Sequence, residues 1–388
     1  MKLRKAVIVG AGIGGLAAAI ALRDAGWQVQ VVEQAASPRE LGFALALAPN
    51  ALAALDELGL RNAVVPRGIE VKTFEVRRPD GRVMKRVDLQ GDAIQSVVLL
   101  RPALHGTLLE QLGAAPLLLG RRVAHVRPAG SGAGVVLDDG TRLEADAVIG
   151  ADGVASTVRQ ALHPDEGPPR PSGYHALRGI SYDAGDRLGT ADAAVYLGDG
   201  VEIGFARASA AAVYWYISLV DAFAAPTPAA VLAACLRGLD PSAVAIARAT
   251  KAEDLRADRL FYRDPIAAWG RGGVTLLGDA AHPVLPHTAQ GAALALEDAV
   301  ALGLALRGPD TEAGLRRYER VRAARSRKVV RAGPRIAMMT TTRSGARRLL
   351  RDALVRLTPA SALSLILTLH ARDPHRELRS RTDRGATY

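Results

Sequence analysis

The 388-residue sequence predicts an α/β protein in which a parallel-sheet nucleotide-binding domain is interrupted by an antiparallel sheet and followed by a C-terminal helical region. Three observations carry this expectation. The chain opens on strand, glycine-rich turn, helix and strand; two later apolar runs end in a glycine with an aspartate close behind; and residues 173–220 are rich in strand-like segments. Cores commonly divide above about 250 residues, so two joined lobes are expected.

Residues 6–9 are apolar and run into Gly10-Ala11-Gly12-Ile13-Gly14-Gly15; residues 15–25 have helical spacing, and residues 29–32 are apolar again. The glycines match G-x-G-x-x-G where that pattern has a mechanism, after a strand and opening a helix. The first allows the tight turn, the second lets backbone N–H groups approach a pyrophosphate, and the third lets helix and strand pack closely. Glu33, 18 residues after Gly15, closes the second strand, where a carboxylate reaches the ribose hydroxyls of an adenosine. Alone, this fingerprint does not separate NAD from FAD.

Residues 42–60 read as a loop and a helix, with Pro49-Asn50 at its start. Residues 69–100 alternate through Val71, Thr73, Glu75 and Arg77, turn at Pro79-Asp80-Gly81 and return as a hairpin. A helix is expected over 103–112, strands at 122–127 and 134–137 around Gly130-Ser131-Gly132, and a short strand at 147–149, after which Ser156 is placed to cap a helix. Strands follow at 174–181, 193–197, 201–207 and 212–220, helices over 228–248, a strand at 274–277 and one helical stretch over 289–331. From Arg343 the pattern is amphipathic through Leu349, Leu350, Leu354 and Leu357, with a second apolar patch at 363–369 and a polar end expected to fray. The resulting division is 1–70, 101–170 and 262–340 for the nucleotide domain, 71–100 and 171–261 for the substrate-binding sheet, and 341–388 for a helical tail.

Net charge is +11, concentrated over residues 316–351. Solvated helix faces are the plain reading; steering of anions, or docking on an acidic partner or anionic lipid, are the alternatives. Only 4% of residues are aromatic and no zinc-finger spacing occurs, so nucleic acid is not an expected partner. A single cysteine, Cys235, offers neither a disulfide nor a thiolate metal cluster, which points to a reducing compartment, the cytoplasm, and no metal. No apolar stretch reaches about 20 residues, and glycines interrupt the N-terminal run, so neither a transmembrane segment nor a signal peptide is expected.

Gly150-Ala151-Asp152-Gly153 and Gly278-Asp279-Ala280-Ala281-His282-Pro283 each set an aspartate at the carboxyl end of a strand, where ligands gather in open α/β sheets. With these in hand, the chain resembles the single-component (class A) FAD-dependent aromatic monooxygenases, the family of para-hydroxybenzoate, salicylate and urate hydroxylases. The resemblance covers residues 5–328 and rests on the first glycine motif with Glu33, Pro49-Asn50-Ala51, Arg101 before its helix, the Asp152 motif through Ser156 and Arg159, and Gly278-Asp279 through Gln290-Gly291 to Glu297-Asp298.

The resemblance implies a Rossmann-like FAD-binding domain of glutathione-reductase type. FAD would be held by Gly10, Gly12, Ile13, Gly14, Gly15, Glu33, Gln34, Arg101, Asp152, Gly153, Asp279, Pro286, Gln290, Gly291 and Ala292. Asp279 would hold ribityl or ribose hydroxyls, Arg101 would lie beside the diphosphate, and the Asp152 segment would serve both FAD and transient NADH or NADPH. The loop 286–292 would run under the isoalloxazine into a helix whose N-terminus favours the anionic reduced flavin. The implied activity is NAD(P)H-consuming hydroxylation of an aromatic or N-heteroaromatic small molecule, with O2 as co-substrate and a flavin C4a-hydroperoxide as oxidant, in a monomer or homodimer. One departure stands out: Ala289 occupies a position where relatives carry glycine, and its β-carbon is expected to crowd the flavin or alter its movement.

For the substrate face, alternation puts Tyr214 and Tyr216 on one side of their strand and Trp215 on the other. Arg178, Phe205, Arg207, Tyr214, Tyr216 and His287 are the candidates, against sheet core as the plain reading for the aromatics. His287 on the flavin loop is the candidate catalytic base, because a neutral imidazole there could deprotonate a phenol; His282 reads as architectural. Two other functions stay open: a flavin-dependent epoxidase or reductase acting on an isoprenoid or lipid, which would suit the basic amphipathic tail, and a non-catalytic FAD-binding member of a biosynthetic complex. A halogenase would carry Trp-x-Trp-x-Ile-Pro, which Trp215-Tyr216-Ile217-Ser218 does not complete.

Overall fold

The computed structural model describes residues 3–37, 43–89, 95–113, 115–129, 132–220, 227–360 and 362. β1 (Lys5–Val9), α1 (Ile13–Asp24) and β2 (Gln28–Val32) form the expected βαβ unit, with Lys5 to Val9 paired in parallel to Gln28 to Val32. After β3 (Ala44–Leu47) come α2 (Pro49–Glu57), the single-turn α3 (Arg61–Val64), β4 (Ile69–Glu70), β5 (Thr73–Arg77), β6 (Val83–Asp88), β7 (Val97–Leu100) and α4 (Arg101–Leu112). β8 (Leu117–Leu118), β9 (Val123–Ala129), β10 (Gly132–Leu137), β11 (Arg142–Ala145), β12 (Ala147–Gly150) and α5 (Thr157–Leu162) complete the first half. The second half holds β13 (Arg170–Tyr182), β14 (Ala193–Leu197), β15 (Val201–Arg207), β16 (Ala212–Val220), α6 (Pro228–Cys235), α7 (Pro241–Arg248), β17 (Leu255–Tyr262), β18 (Val274–Leu276), α8 (Gly291–Ala305), α9 (Thr311–Thr340) and α10 (Gly345–Leu357).

A five-stranded parallel sheet, ordered β18-β12-β1-β2-β8, brings the ends of β1, β12 and β18 side by side. That adjacency is what unites the three glycine-and-acid motifs, which follow those strands. α8 is apolar on nearly every side and buried along its length, packed against α1, α2 and α9. The seven-stranded sheet, β17-β13-β16-β15-β14-β5-β6, forms the second lobe; α6 and α7 cover one of its faces over a core of Trp215, Phe205, Ile217 and Tyr196.

Several expectations are corrected. Residues 42–60 hide β3, which pairs antiparallel with β7, so Val97–Leu100 joins a three-stranded sheet, β3-β7-β4, rather than the substrate sheet. Its unbroken apolar sequence suits burial on both faces, where alternation would not. The substrate sheet is antiparallel as expected except at one pair, where β14 runs parallel to β5. The helical stretch 289–331 is two helices: Gly308-Pro309 interrupts it, and Asp310 restarts it by accepting the Ala313 N–H at 3.0 Å, after which α9 continues through Pro334 to Thr340. The basic stretch is not wholly solvated, since Arg322 is fully buried. The apolar patch at 363–369 lies outside the described residues. Among the described residues, no helix is long and apolar enough to cross a membrane.

Candidate active site

The three motifs meet in van der Waals contact. A β-carbon on Gly10 (φ +103°) would stand 2.5 Å from the Ala151 carbonyl oxygen, and one on Gly15 would stand 1.9 Å from the Gly10 carbonyl oxygen. Only glycine lets these backbones approach so closely. A β-carbon on Gly14 would meet Leu277 at 2.8 Å, so the third motif closes on the same point. The turn is held from two sides. His105 Nε2 lies 2.7 Å from the Ala11 carbonyl oxygen, and Glu33 accepts the N–H groups of Ala11 and Ala35, each at 2.8 Å. Carboxylate oxygens have further acceptor capacity, so Glu33 can still take sugar hydroxyls. Gln34, beside it, is exposed.

The helix ends around this cradle share a property. α1, α2, α4 and α8 each begin without a side-chain cap and without an acid in the first turn. α5, α6, α7, α9 and α10 are capped by Ser156, Thr227, Asp240, Asp310 and Ser344. Open N–H groups at a helix start carry partial positive charge and bind anions. The uncapped ends are joined to one another: Asn50 in the first turn of α2 donates to Gln290 at the start of α8 at 2.9 Å, and Arg101, which opens α4, acts electrostatically on Asp279. The Asp279 side chain is solvent-accessible at this point, and a β-carbon on Gly291 would lie 4.0 Å from its Oδ1. Crowding by protein raises its carboxyl pKa, against the pull of His282 and Arg101.

Asp152, expected to serve FAD and transient NAD(P)H, organises the backbone that follows it. Its Oδ1 accepts the Ser156 hydroxyl at 2.5 Å, and its Oδ2 accepts the N–H groups of Thr157 at 2.7 Å and Val158 at 3.3 Å, so it organises the start of α5. Burial raises its carboxyl pKa while these hydrogen bonds lower it. Gly153 beside it takes a positive φ of 78°. The fully buried Arg159 then ties this segment to the Asp279 loop, donating to the carbonyls of Ala280 and Ala281 at 3.0 and 2.9 Å while pairing with Glu166.

Beneath the loop that carries Pro286, Gln290, Gly291 and Ala292 lies an ionic network the sequence did not announce. Asn50 Nδ2 also donates to Glu297 at 2.6 Å; Glu297 pairs with Arg322 at 2.6 Å and Arg325 at 2.5 Å. Asp298 accepts from Arg322 and His282, each at 2.6 Å, and from the Gly278 N–H at 3.0 Å. Burial alone would raise the Asp298 carboxyl, but His282 and Arg322 hold it at about 2. The available signal was the adjacent acids Glu297 and Asp298 inside an otherwise apolar helix, with Arg322 and Arg325 one turn apart downstream. In the loop itself, Ala289 takes the left-handed conformation, φ 50° and ψ 26°. Glycine would adopt this conformation without penalty, and alanine here costs on the order of 1 kcal/mol.

The sheet face opposite the loop carries Arg178, Tyr214, Tyr216, Ser218 and Glu202, with Arg178 paired to Tyr216 and Glu202 to Ser218 across the strands. Trp215 points the other way, fully buried, its indole N–H donating to Thr250 at 2.7 Å. Phe205 is corrected: it pairs with Trp215, lies in the core under α6 and α7, and stacks edge-on to Tyr196. Arg207 shares that far side and donates to the carbonyls of Gly189 and Ala191 at 2.8 and 3.3 Å. Arg178 stays on the near side, bonded to Asp258 at 2.6 Å with its guanidinium 5.7 Å from the centre of the Phe43 ring, a neighbour the sequence did not nominate.

His287 bridges loop and sheet. Its Nε2 is 2.6 Å from the Ser218 hydroxyl oxygen, its ring meets Tyr174 edge-on at 5.2 Å, and its buried Nδ1 has no partner among the described residues. Burial lowers its pKa, against the pull of Glu202, which favours the neutral imidazole. Glu202 accepts the Tyr216 hydroxyl at 2.5 Å, and burial pushes the Tyr214 phenol up to about 12.

A glycine cradle, uncapped helix ends and the carboxylates Glu33 and Asp279 suit a dinucleotide, and the cradle fits the diphosphate and sugars of FAD. The sequence profile described as FAD binding domain matches residues 4–333. The chain is 33% identical to 3-amino-4-hydroxybenzoate 2-monooxygenase PtnB3 of Streptomyces platensis, over 89% of this chain and 90% of that one. It is 32% identical to 6-hydroxynicotinate 3-monooxygenase of Pseudomonas fluorescens, over 84% and 89%. The fold superimposes on a variant of Klebsiella pneumoniae HpxO complexed with FAD at a TM-score of 0.88, with 25% identity over 94% of this chain and 98% of that one. The chain belongs to the class A FAD-dependent aromatic and heteroaromatic monooxygenases.

Proposed function

We propose that this monooxygenase hydroxylates a phenolic or hydroxylated N-heteroaromatic small molecule held between the Tyr214–Tyr216 face and the loop 286–292, with NADH or NADPH as reductant. One observation carries the reading: His287, on the loop expected beneath the flavin, reaches the aromatic face of the sheet at Ser218, where burial favours its neutral form. FAD, when bound, supplies the redox chemistry, taking hydride from the nicotinamide and activating O2. Glu33 and Asp279 would hold its sugar hydroxyls, the uncapped ends of α1 and α4 with Arg101 its diphosphate, and the start of α8 its pyrimidine edge.

His287 Nδ1, a buried ring nitrogen without a partner among the described residues, takes the proton of the substrate hydroxyl once the loop admits it, which raises the electron density of the ring to be oxygenated. Ser218 fixes the imidazole through Nε2, Tyr214 and Tyr216 supply the aromatic wall, and Arg178 favours the phenolate over the phenol. Two relatives point the same way by name, one acting on an aminohydroxybenzoate and the other on a hydroxynicotinate. The test is a panel of hydroxylated arenes and N-heteroarenes, assayed for ligand-stimulated oxidation of NADH and of NADPH with mass spectrometry of the products. A stimulating ligand that gains one oxygen atom supports the reading; stimulation that yields hydrogen peroxide alone with every ligand overturns it.

A further inference from the structure

A helix on a protein surface ordinarily turns its apolar stripe inward. α10 does the reverse. Its buried Arg351 donates to the carbonyls of Leu197, Thr340 and Gly198 at 3.1, 3.1 and 3.3 Å, Arg348 pairs with Asp199 at 3.1 Å, and Val355 packs on Val76, Met84 and Leu197. These contacts fix the helix against the substrate-sheet lobe through its polar side. They leave Leu349, Leu350, Leu354 and Leu357 facing out, 74%, 61%, 53% and 80% exposed.

At about 100° per residue, these leucines together with Ala346 and Ala353 fill one arc of about 140°, and Arg356 and Arg347 stand at its two borders. Met338 and Met339, near the end of α9, add further exposed apolar surface, and Arg343 lies in the turn between the helices. Leucines in the middle with guanidiniums on both rims match the layering of a bilayer surface, acyl chains inside and phosphates at the edge. A second copy of the chain would set these arginine rims against each other if the arc packed on itself. The sequence beyond α10 adds more positive charge, with Arg372, Arg376, Arg379, Arg381 and Arg384 against Asp373, Glu377 and Asp383. We propose that α10 is an interfacial helix that seats the protein on an anionic lipid bilayer through Leu349, Leu350, Leu354 and Leu357, a role separate from the chemistry of the cleft.

The test mixes the full-length holoprotein with sucrose-loaded vesicles of phosphatidylcholine, alone or with an equal part of phosphatidylglycerol, and sediments them. The protein pellets with the anionic vesicles, less so as salt rises. The double variant L350E/L354E, altered only at exposed positions, lowers the partition coefficient about tenfold or more while keeping its flavin absorbance. Protein that stays in the supernatant with both vesicle types, or a variant that pellets as well as its parent, overturns the proposal. Sedimentation velocity adds a third outcome: a dimer that L350E/L354E splits makes a second copy the occupant, and the bilayer proposal falls.

Discussion

Two groups of helices in this molecule begin in opposite ways. Where a helix only has to end stably, the chain places a serine, threonine or aspartate at its start: Ser156, Thr227, Asp240, Asp310 and Ser344. Around the cleft, α1, α2, α4 and α8 start on glycine, alanine, leucine and glutamine, and no side chain answers their first N–H groups. Leaving aside the single-turn α3, which is also uncapped, the difference suits helix ends around the cleft to an anionic ligand, although at α4 the Arg101 N–H is already taken by the Phe43 carbonyl at 3.0 Å. A second contrast runs beneath it: charges under the flavin loop are locked to one another, whereas His287 on that loop keeps one buried nitrogen without a partner among the described residues.

The largest effect is expected from breaking the locked charges. Arg322→Met leaves Glu297 and Asp298 buried without their shared partner, and urea denaturation should show a loss of about 3–5 kcal/mol. The same network fixes a pH dependence. Asp298 is depressed from 3.8 to about 2, so its contribution is complete above pH 3.8 and is lost as pH falls from there toward 2; acid unfolding of the parent should steepen in that window, and Asp298→Asn should flatten it.

His287→Gln tests the open nitrogen. It should lower kcat by about a hundredfold or more while FAD content stays that of the parent. In the parent, kcat/KM should hold steady down to below pH 6.5 and then fall as the imidazole protonates, and the variant should lack this acid limb.

Gly12→Asp sharpens the helix-end comparison. Gly12 has φ −71°, which any residue adopts, so the substitution adds a cap of the kind found on α9. FAD affinity by titration of apoprotein should fall about tenfold or more, with the apoprotein's Tm held or raised. Asp310→Ala makes the opposite change at a closed end: about 1 kcal/mol of stability lost and no change in FAD affinity. The smallest effect is expected at Ala289→Gly, which relieves a left-handed alanine and should raise stability by up to about 1 kcal/mol.

What the sequence disclosed follows from the range of the interactions involved. β1, β12 and β18 were legible because each is a short apolar run ending at a glycine, and their adjacency followed from the ligand logic of parallel sheets. Alternation separated Tyr214 and Tyr216 from Trp215, because parity within one strand is local. Phe205 was misplaced because its face depends on which residue of β16 stands opposite, and register between strands is not written in either strand. The two acids in an apolar helix signalled a buried partner, but its identity as Arg322 was hidden for the same reason: a helix break and a turn at Gly308-Pro309 fold α9 back along α8, so an apparently solvated basic stretch supplies a buried cation. The strain at Ala289 was half legible, since the position was notable but its backbone conformation was not.

The class A monooxygenase reaction requires this cleft to bring FAD, O2 and an aromatic ring together so that oxygen passes to the ring. Turnover with a stimulating ligand under heavy-isotope dioxygen, followed by mass spectrometry, tests it most directly. One labelled oxygen atom is expected in the product for each NAD(P)H oxidised, whereas label confined to hydrogen peroxide with the ligand recovered unchanged would overturn the assignment.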